Sequence, residues 1–255
     1  MTSVQRIRQP RIAEIVASRL RDDILSGRIK EGDVLPSQDT LLTEFGVSPP
    51  ALREAIHILE TDGLISVRRG NMGGAIVHPP SAERTAHMIS MVLQTRSATP
   101  ADVSGALMHL EPICAGMCAA REDRMTEVVP YLEAEIKTQT EQFDNLSRYV
   151  PNARRFHEAI VSRCGNEPMI LLIGSLELIW SAHESSVWRD EGDPMEHKTM
   201  RAALRDHQRL LDAIRDGNEA RAVKLAQDHL SAARRNTLAV GADKTIEAKL
   251  ISNAE

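Results

Sequence analysis

The sequence predicts a mainly α protein in two parts, a small N-terminal part that ends in a β-prone hairpin and a larger part built from helices. Three observations predict this. Of the 255 residues, 42% are hydrophobic but only 3% aromatic, and abundant Ala, Leu, Ile, Val and Met favour helices packed on helices over β-sandwiches. Apolar residues recur at helical spacing along most of the chain. The exception lies after Gly63, where two short β-prone runs flank a glycine-rich turn.

Taken in order, Ile12, Ile15, Val16, Leu20, Ile24 and Leu25 form a helical repeat opened by Pro10 and closed near Gly27. Ser37 is placed to cap a short second helix through Leu41, Leu42 and Phe45, which Gly46 ends. A third helix follows at once: Ser48 can cap it, Pro49 suits its first position, Val47 can staple against Leu52, and it runs to Asp62-Gly63. Leu64–Arg69 and Ala75–Val77 then form a hairpin around Gly70-Asn71-Met72-Gly73-Gly74. Two short helices joined by a tight turn and followed by a β-wing have the proportions of a winged helix-turn-helix.

His78-Pro79-Pro80-Ser81 is a compact linker, since successive prolines favour extended backbone. The expected division is residues 1–79, a helical bundle over 80–240, and a tail over 241–255. Bundle helices are expected near 81–95, 99–122, 126–143, 145–164, 168–189, 194–216 and 218–239. No apolar run approaches the roughly 18–20 residues that cross a bilayer, and the polar start lacks the core of a signal peptide, so a cytoplasmic protein with no membrane partner is expected. Cys114, Cys118 and Cys164 form no CxxC pair and read as buried thiols.

The net charge of −5 hides an uneven distribution, because residues 1–79 carry equal numbers of basic and acidic side chains. A case for DNA must then rest on where the charges sit. Arg53 lies one turn into the third helix, and Arg68 and Arg69 enter the hairpin tip, where a winged helix meets DNA. The alternatives are pairing with neighbouring acids for Arg53 and a solvated loop for Arg68 and Arg69.

Leu35-Pro36-Ser37, Phe45-Gly46-Val47-Ser48, Leu52-Arg53-Glu54-Ala55, Leu59, Asp62-Gly63-Leu64-Ile65 and the glycine-rich wing together resemble the GntR family of bacterial transcription regulators. Leu110-Glu111-Pro112, Phe156-His157-Glu158, Gly165-Asn166, His207 and Asp228-His229-Leu230 resemble the all-helical FCD effector domain of its FadR subgroup. The resemblance implies a homodimer whose recognition helices read the half-sites of an inverted repeat, gated by a small-molecule effector in the helical part. The DNA-facing residues expected are Ser37, Ser48, Arg53, Arg68, Arg69, Asn71 and Gly73. The chain departs from the family at Asp39 and at Pro49-Pro50, where Arg and Arg-Thr are usual; proline offers no donor, so base reading shifts to Arg53 and the wing.

His207 shares a helical stripe with Met200, Leu204, Leu211 and Ile214; His229 shares one with Ala222, Ala226 and Ala233; and His157 shares one with Ala153, Ile160, Val161 and Cys164. His207 lies ten residues before Gly217 and His229 twelve after it, so an antiparallel hairpin brings them to nearly one level. The family's metal-binding members use Asp-x-x-x-His and two later histidines, which match His157, His207 and His229, with Ala153 in place of the Asp. The reading is one divalent metal per chain, zinc or nickel, completed by water or an effector carboxylate. Its alternative is three core histidines and a metal-free pocket for an acyl or apolar effector, which Leu107 in place of the subgroup's Arg also favours. Asn152, Trp180 and His183 are the expected effector contacts, and Met88, Met91, Met108, Met117 and Trp188 are further lining candidates. The rival class is a metalloenzyme using a three-His zinc site; no HExxH, phosphate loop, GxSxG elbow or nucleophile and base pair supports it.

Overall fold

The computed structural model describes residues 11–68, 74–144, 146–191, 197–237 and 245–248. It divides into two compact units, Met1–Ser81 and Ala82–Glu255, and is mainly α with one small sheet.

In the first unit, α1 (Ile12–Leu25), α2 (Gln38–Phe45) and α3 (Pro49–Thr61) precede β1 (Ile65–Arg68) and β2 (Gly74–Val77). The strands pair antiparallel, with Ile65 opposite Val77 and Arg68 opposite Gly74, and Val34 adds a bridge to Ile76. The core joins Val16, Leu20 and Ile24 of α1 to Leu41, Leu52, Ala55, Leu59, Ile65 and Val77. The buried stripe of α1 differs from the expected one. Ala13, Val16, Ala17, Leu20 and Ile24 face inward, while Ile12, Ile15 and Leu25 are exposed, because small alanines let α3 approach on the side that the larger residues leave.

Ser37 caps α2 as expected, its hydroxyl accepting from Thr40 N at 3.2 Å. Ser48 holds the N-cap position of α3, but its side chain makes no capping bond. Pro50, at the second helical position, removes one of the two N–H groups that a capping hydroxyl would serve.

The second unit contains α4 (Ala82–Thr95), α5 (Pro100–Ala120), α6 (Arg124–Glu127), α7 (Val129–Glu141), α8 (Leu146–Ser162), α9 (Glu167–Glu191), α10 (His197–Arg215) and α11 (Glu219–Thr237). The single helix expected over 126–143 is broken at Val128, where the backbone leaves the helical region. Pro130 follows that break, and proline is favoured at a helix start.

α5 has 21 residues and is long and apolar enough to cross a membrane, contrary to the expectation that no run reaches that length. In the bundle its Val103, Leu107, Cys114, Ala115, Cys118 and Ala119 are covered by neighbouring helices, which accounts for its composition as a central core helix. Thr99 and Asp102 form a capping box at its start. All three cysteines are buried and free, and burial, followed by the nearby Cys164, pushes the Cys118 thiol up to about 12.

Residues 245–248, expected within a tail, pack on the bundle. Ile246 is 5% exposed within the core cluster, its N–H donates to Ala98 O at 3.0 Å, and Ala248 N–H donates to Gln94 Oε1 at 3.0 Å. An apolar side chain flanked by two such backbone bonds has reason to dock. Met88 and Met91 of α4 are 59% and 38% exposed and line no interior in the described chain.

Candidate functional site

α8, α10 and α11 each bring one histidine to a common point. His157 lies on α8, about three turns from its start, on the stripe that also buries Phe156, Ile160 and Val161. His207 and His229 face each other across the α10–α11 hairpin. Its turn places Gly217 at φ +69° with the Arg124 guanidinium against it, so a side chain there would be strained and crowded. The sequence-based level matching of these two residues agrees with their Nε2 atoms standing 3.1 Å apart. His157 Nε2 is 3.2 Å from each of the other two. These are the described residues whose ligand atoms cluster closely enough for one metal ion.

Behind each ring stands an oxygen. His157 Nδ1 bonds Glu111 Oε1 from α5. Gln139, buried on α7, donates from Nε2 to Asn152 O at 3.3 Å and accepts through Oε1 from His207 Nδ1 at 2.8 Å. Asp206 Oδ2 lies 3.7 Å from His229 Nδ1. With Nδ1 turned to an oxygen, each ring directs Nε2 to the centre. Phe156 stacks on His207 with ring centroids 4.3 Å apart, which fixes that ring further.

Electrostatics favours ligands over protons at this point. Burial, and then the neighbouring His229 and His157, holds His207 well below its usual value. His229 is lowered by burial, against the opposing pull of Asp206. Buried, convergent imidazoles, two of them disfavoured from taking a proton, are the kind of donors that zinc and nickel accept. The spacing fits as well: two nitrogens on one ion at about 2.0–2.1 Å stand about 2.9–3.4 Å apart for bond angles from right to tetrahedral.

The chain of buried polar groups continues past Glu111. Glu177 of α9, 1% exposed, pairs with Arg154 of α8 and stands close enough to Glu111 for the two carboxyls to influence each other. Burial pushes Glu177 up to about 7, with Arg154 opposing and Glu111 reinforcing. Glu111, Gln139, Arg154, Glu177 and Asp206 are not among the residues the sequence singled out as site residues. A signal existed for some of them: Gln139 follows Leu132 and Ile136 on the inward stripe of α7, and Glu111 sits among buried positions of α5.

The expected effector contacts fall as follows. The Asn152 amide donates to Gln142 Oε1 at 2.9 Å, so its tie to the histidines runs through its backbone carbonyl. Trp180 of α9 is 6% exposed within the core. His183 and Trp188 lie on α9 where side chains are outside the described residues.

On the first unit, Arg53 is exposed on α3. Glu54 beside it pairs with Arg11 at 3.3 Å, not with Arg53. Arg68 is exposed at the end of β1. Ser37 and Ser48 sit at the starts of α2 and α3, where helix N-termini favour phosphate. Arg69, Asn71 and Gly73 lie outside the described residues.

Comparison with known proteins agrees with this architecture. The chain matches the profile of "Bacterial regulatory proteins, gntR family" over residues 12–73 and that of the FCD domain over residues 102–232. It is 25% identical over 240 residues to the HTH-type transcriptional repressor NanR of Klebsiella aerogenes, spanning 92% of this chain and 88% of that protein. It is 24% identical over 226 residues to NanR of Escherichia coli strain K12, spanning 87% and 82%. The structure of Streptococcus agalactiae GntR has the same fold, with a TM-score of 0.64 and 21% identity over 88% of this chain and 99% of that one. A winged helix joined to a helical bundle defines a DNA-binding, ligand-responsive transcription regulator and not an enzyme. The chain belongs to the GntR family of bacterial regulatory proteins and carries an FCD domain.

Proposed function

We propose that this protein is a cytoplasmic, homodimeric repressor of the FadR subgroup whose FCD domain senses a small-molecule effector through a divalent metal, zinc or nickel, held by His157, His207 and His229. The observation that carries the metal reading is the triangle of Nε2 atoms with 3.1–3.2 Å edges, each ring backed by an oxygen at Nδ1. A bound metal would supply a Lewis-acidic anchor for an effector carboxylate. The rings set the donor direction, Phe156 and the surrounding core exclude water, and Asn152, Trp180 and His183 are the proposed effector contacts. Repression is supported by the NanR relatives, which are named repressors. Ser37, Ser48, Arg53, Arg68, Arg69, Asn71 and Gly73 are the proposed contacts to an inverted-repeat operator, and the domains are proposed as 1–79 and 80–240.

The metal content of tag-free protein tests the reading. About one zinc or nickel per chain, absent from His207→Ala, is expected. Equally empty wild type and variant would replace it with a metal-free pocket for an acyl or apolar effector, the reading that Ala153 and the buried Leu107 favour. Selection of binding sites from random duplex DNA tests the rest, with an inverted repeat and a steep salt dependence expected.

A further inference from the structure

We propose that Glu111 and Asp206 are positioning residues for a divalent cation, supplying from behind the imidazole rings the negative charge that the three histidines lack. The inference rests on the reading of those histidines as metal ligands. Three neutral donors bring a doubly charged ion into a site where His157, His207 and His229 are 9%, 1% and 7% exposed. Burying that charge without compensation is costly.

The compensation stands one layer out. Glu111 accepts from His157 Nδ1 and is 3% exposed at its side chain. Asp206 faces His229 Nδ1 at 3.7 Å. Gln139, behind His207, is neutral. Nearby, Arg154 pairs with Glu177, and Arg209 lies 3.5 Å from the other oxygen of Asp206. Two of the three rings therefore have a carboxylate behind Nδ1, and a carboxylate on Nδ1–H makes Nε2 a stronger donor.

Glu111 also stands among other buried charges: Arg154 of α8 grips Glu177 of α9, both act on Glu111 of α5, and Glu111 bonds His157 one turn along α8 from Arg154. Asp206, 35% exposed at its side chain and farther from its ring, contributes less.

The test measures zinc affinity of the full chain by competition with a chromophoric chelator, for wild type, Glu111→Gln, Asp206→Asn and Asp212→Asn. The last removes a charge from the same helix but faces Arg215 at 2.8 Å. Glu111→Gln should weaken binding about 10–100-fold, Asp206→Asn less, and Asp212→Asn not at all. The metal-free melting temperature of Glu111→Gln should not fall, and the visible spectrum of its cobalt form should keep the wild-type band pattern, since the ligands are unchanged. A merely structural glutamate would lower the first and disturb the second. If Glu111→Gln proves unstable, Asp206→Asn on the bundle surface decides. Zinc held equally tightly by wild type, Glu111→Gln and Asp206→Asn overturns the inference while leaving the histidine site standing. A wild type that binds no zinc removes both.

Discussion

Arg53 is the proposed base reader of α3, because Pro49 and Pro50 present neither donor side chains nor N–H groups. Its exposure, and the commitment of Glu54 to Arg11, leave its guanidinium available for a bidentate contact. Arg53→Ala should weaken binding to a selected operator by about 1–3 kcal/mol and relax preference at one position, read by fluorescence anisotropy, with no change in melting temperature. The histidines carry a prediction of a different kind. His207 and His229 have folded values below the usual 6.5, so below about pH 6.5 the unfolded chain binds more protons than the native one. Their contribution to the stability of metal-free protein is complete above that pH and is lost as pH falls, and urea midpoints measured at pH 5 and pH 7 should rise with pH. All three histidines and Arg53 were legible as residues from their stripes and positions. Glu111, Asp206 and Gln139 were not, because which oxygen backs which ring depends on three helices meeting, and no spacing within one helix records that.

Among the elements, α5 and α11 depend on close approach. A Cβ built at Gly116 would stand 2.7 Å from Val223 Cγ2, so Gly116→Ala should push apart the helix that carries Glu111 and the one that carries His229. A cost of about 1–3 kcal/mol is expected from such overpacking. Val223→Ala in the same chain should recover most of it, and a double-mutant cycle by urea denaturation should show a favourable coupling. The α10–α11 hairpin was readable because a helix-to-helix turn at Asp216-Gly217-Asn218 fixes level by counting residues. The break at Val128 and the uncapped Ser48 were not, since the first is a local backbone choice and the second involves the N–H that Pro50 withholds.

The molecule as a whole is two units with separate cores, and its last described residues, 245–248, belong to the second. Ile246→Ala should cost the helical unit about 2–5 kcal/mol, seen as a lower melting transition, while the winged helix keeps its own. The tail reading failed there because Ile246 lies in a polar, aperiodic stretch, and burial of one side chain leaves no periodic trace.

What the sequence determined by itself is the pattern of elements and their chemistry: helical stripes, a capped turn between two short helices, a glycine-rich hairpin, a proline linker, and histidines on inward faces. These depend on neighbours within a few residues, and local propensity and periodicity record them. Only the tertiary structure decided that the three histidines share one centre, that Glu111 and Asp206 stand behind two of them, and that Glu54 turns to Arg11. Each of these contacts joins residues far apart in the chain, or on helices whose relative rotation is set by packing, and side-chain packing is fixed only once the helices have met.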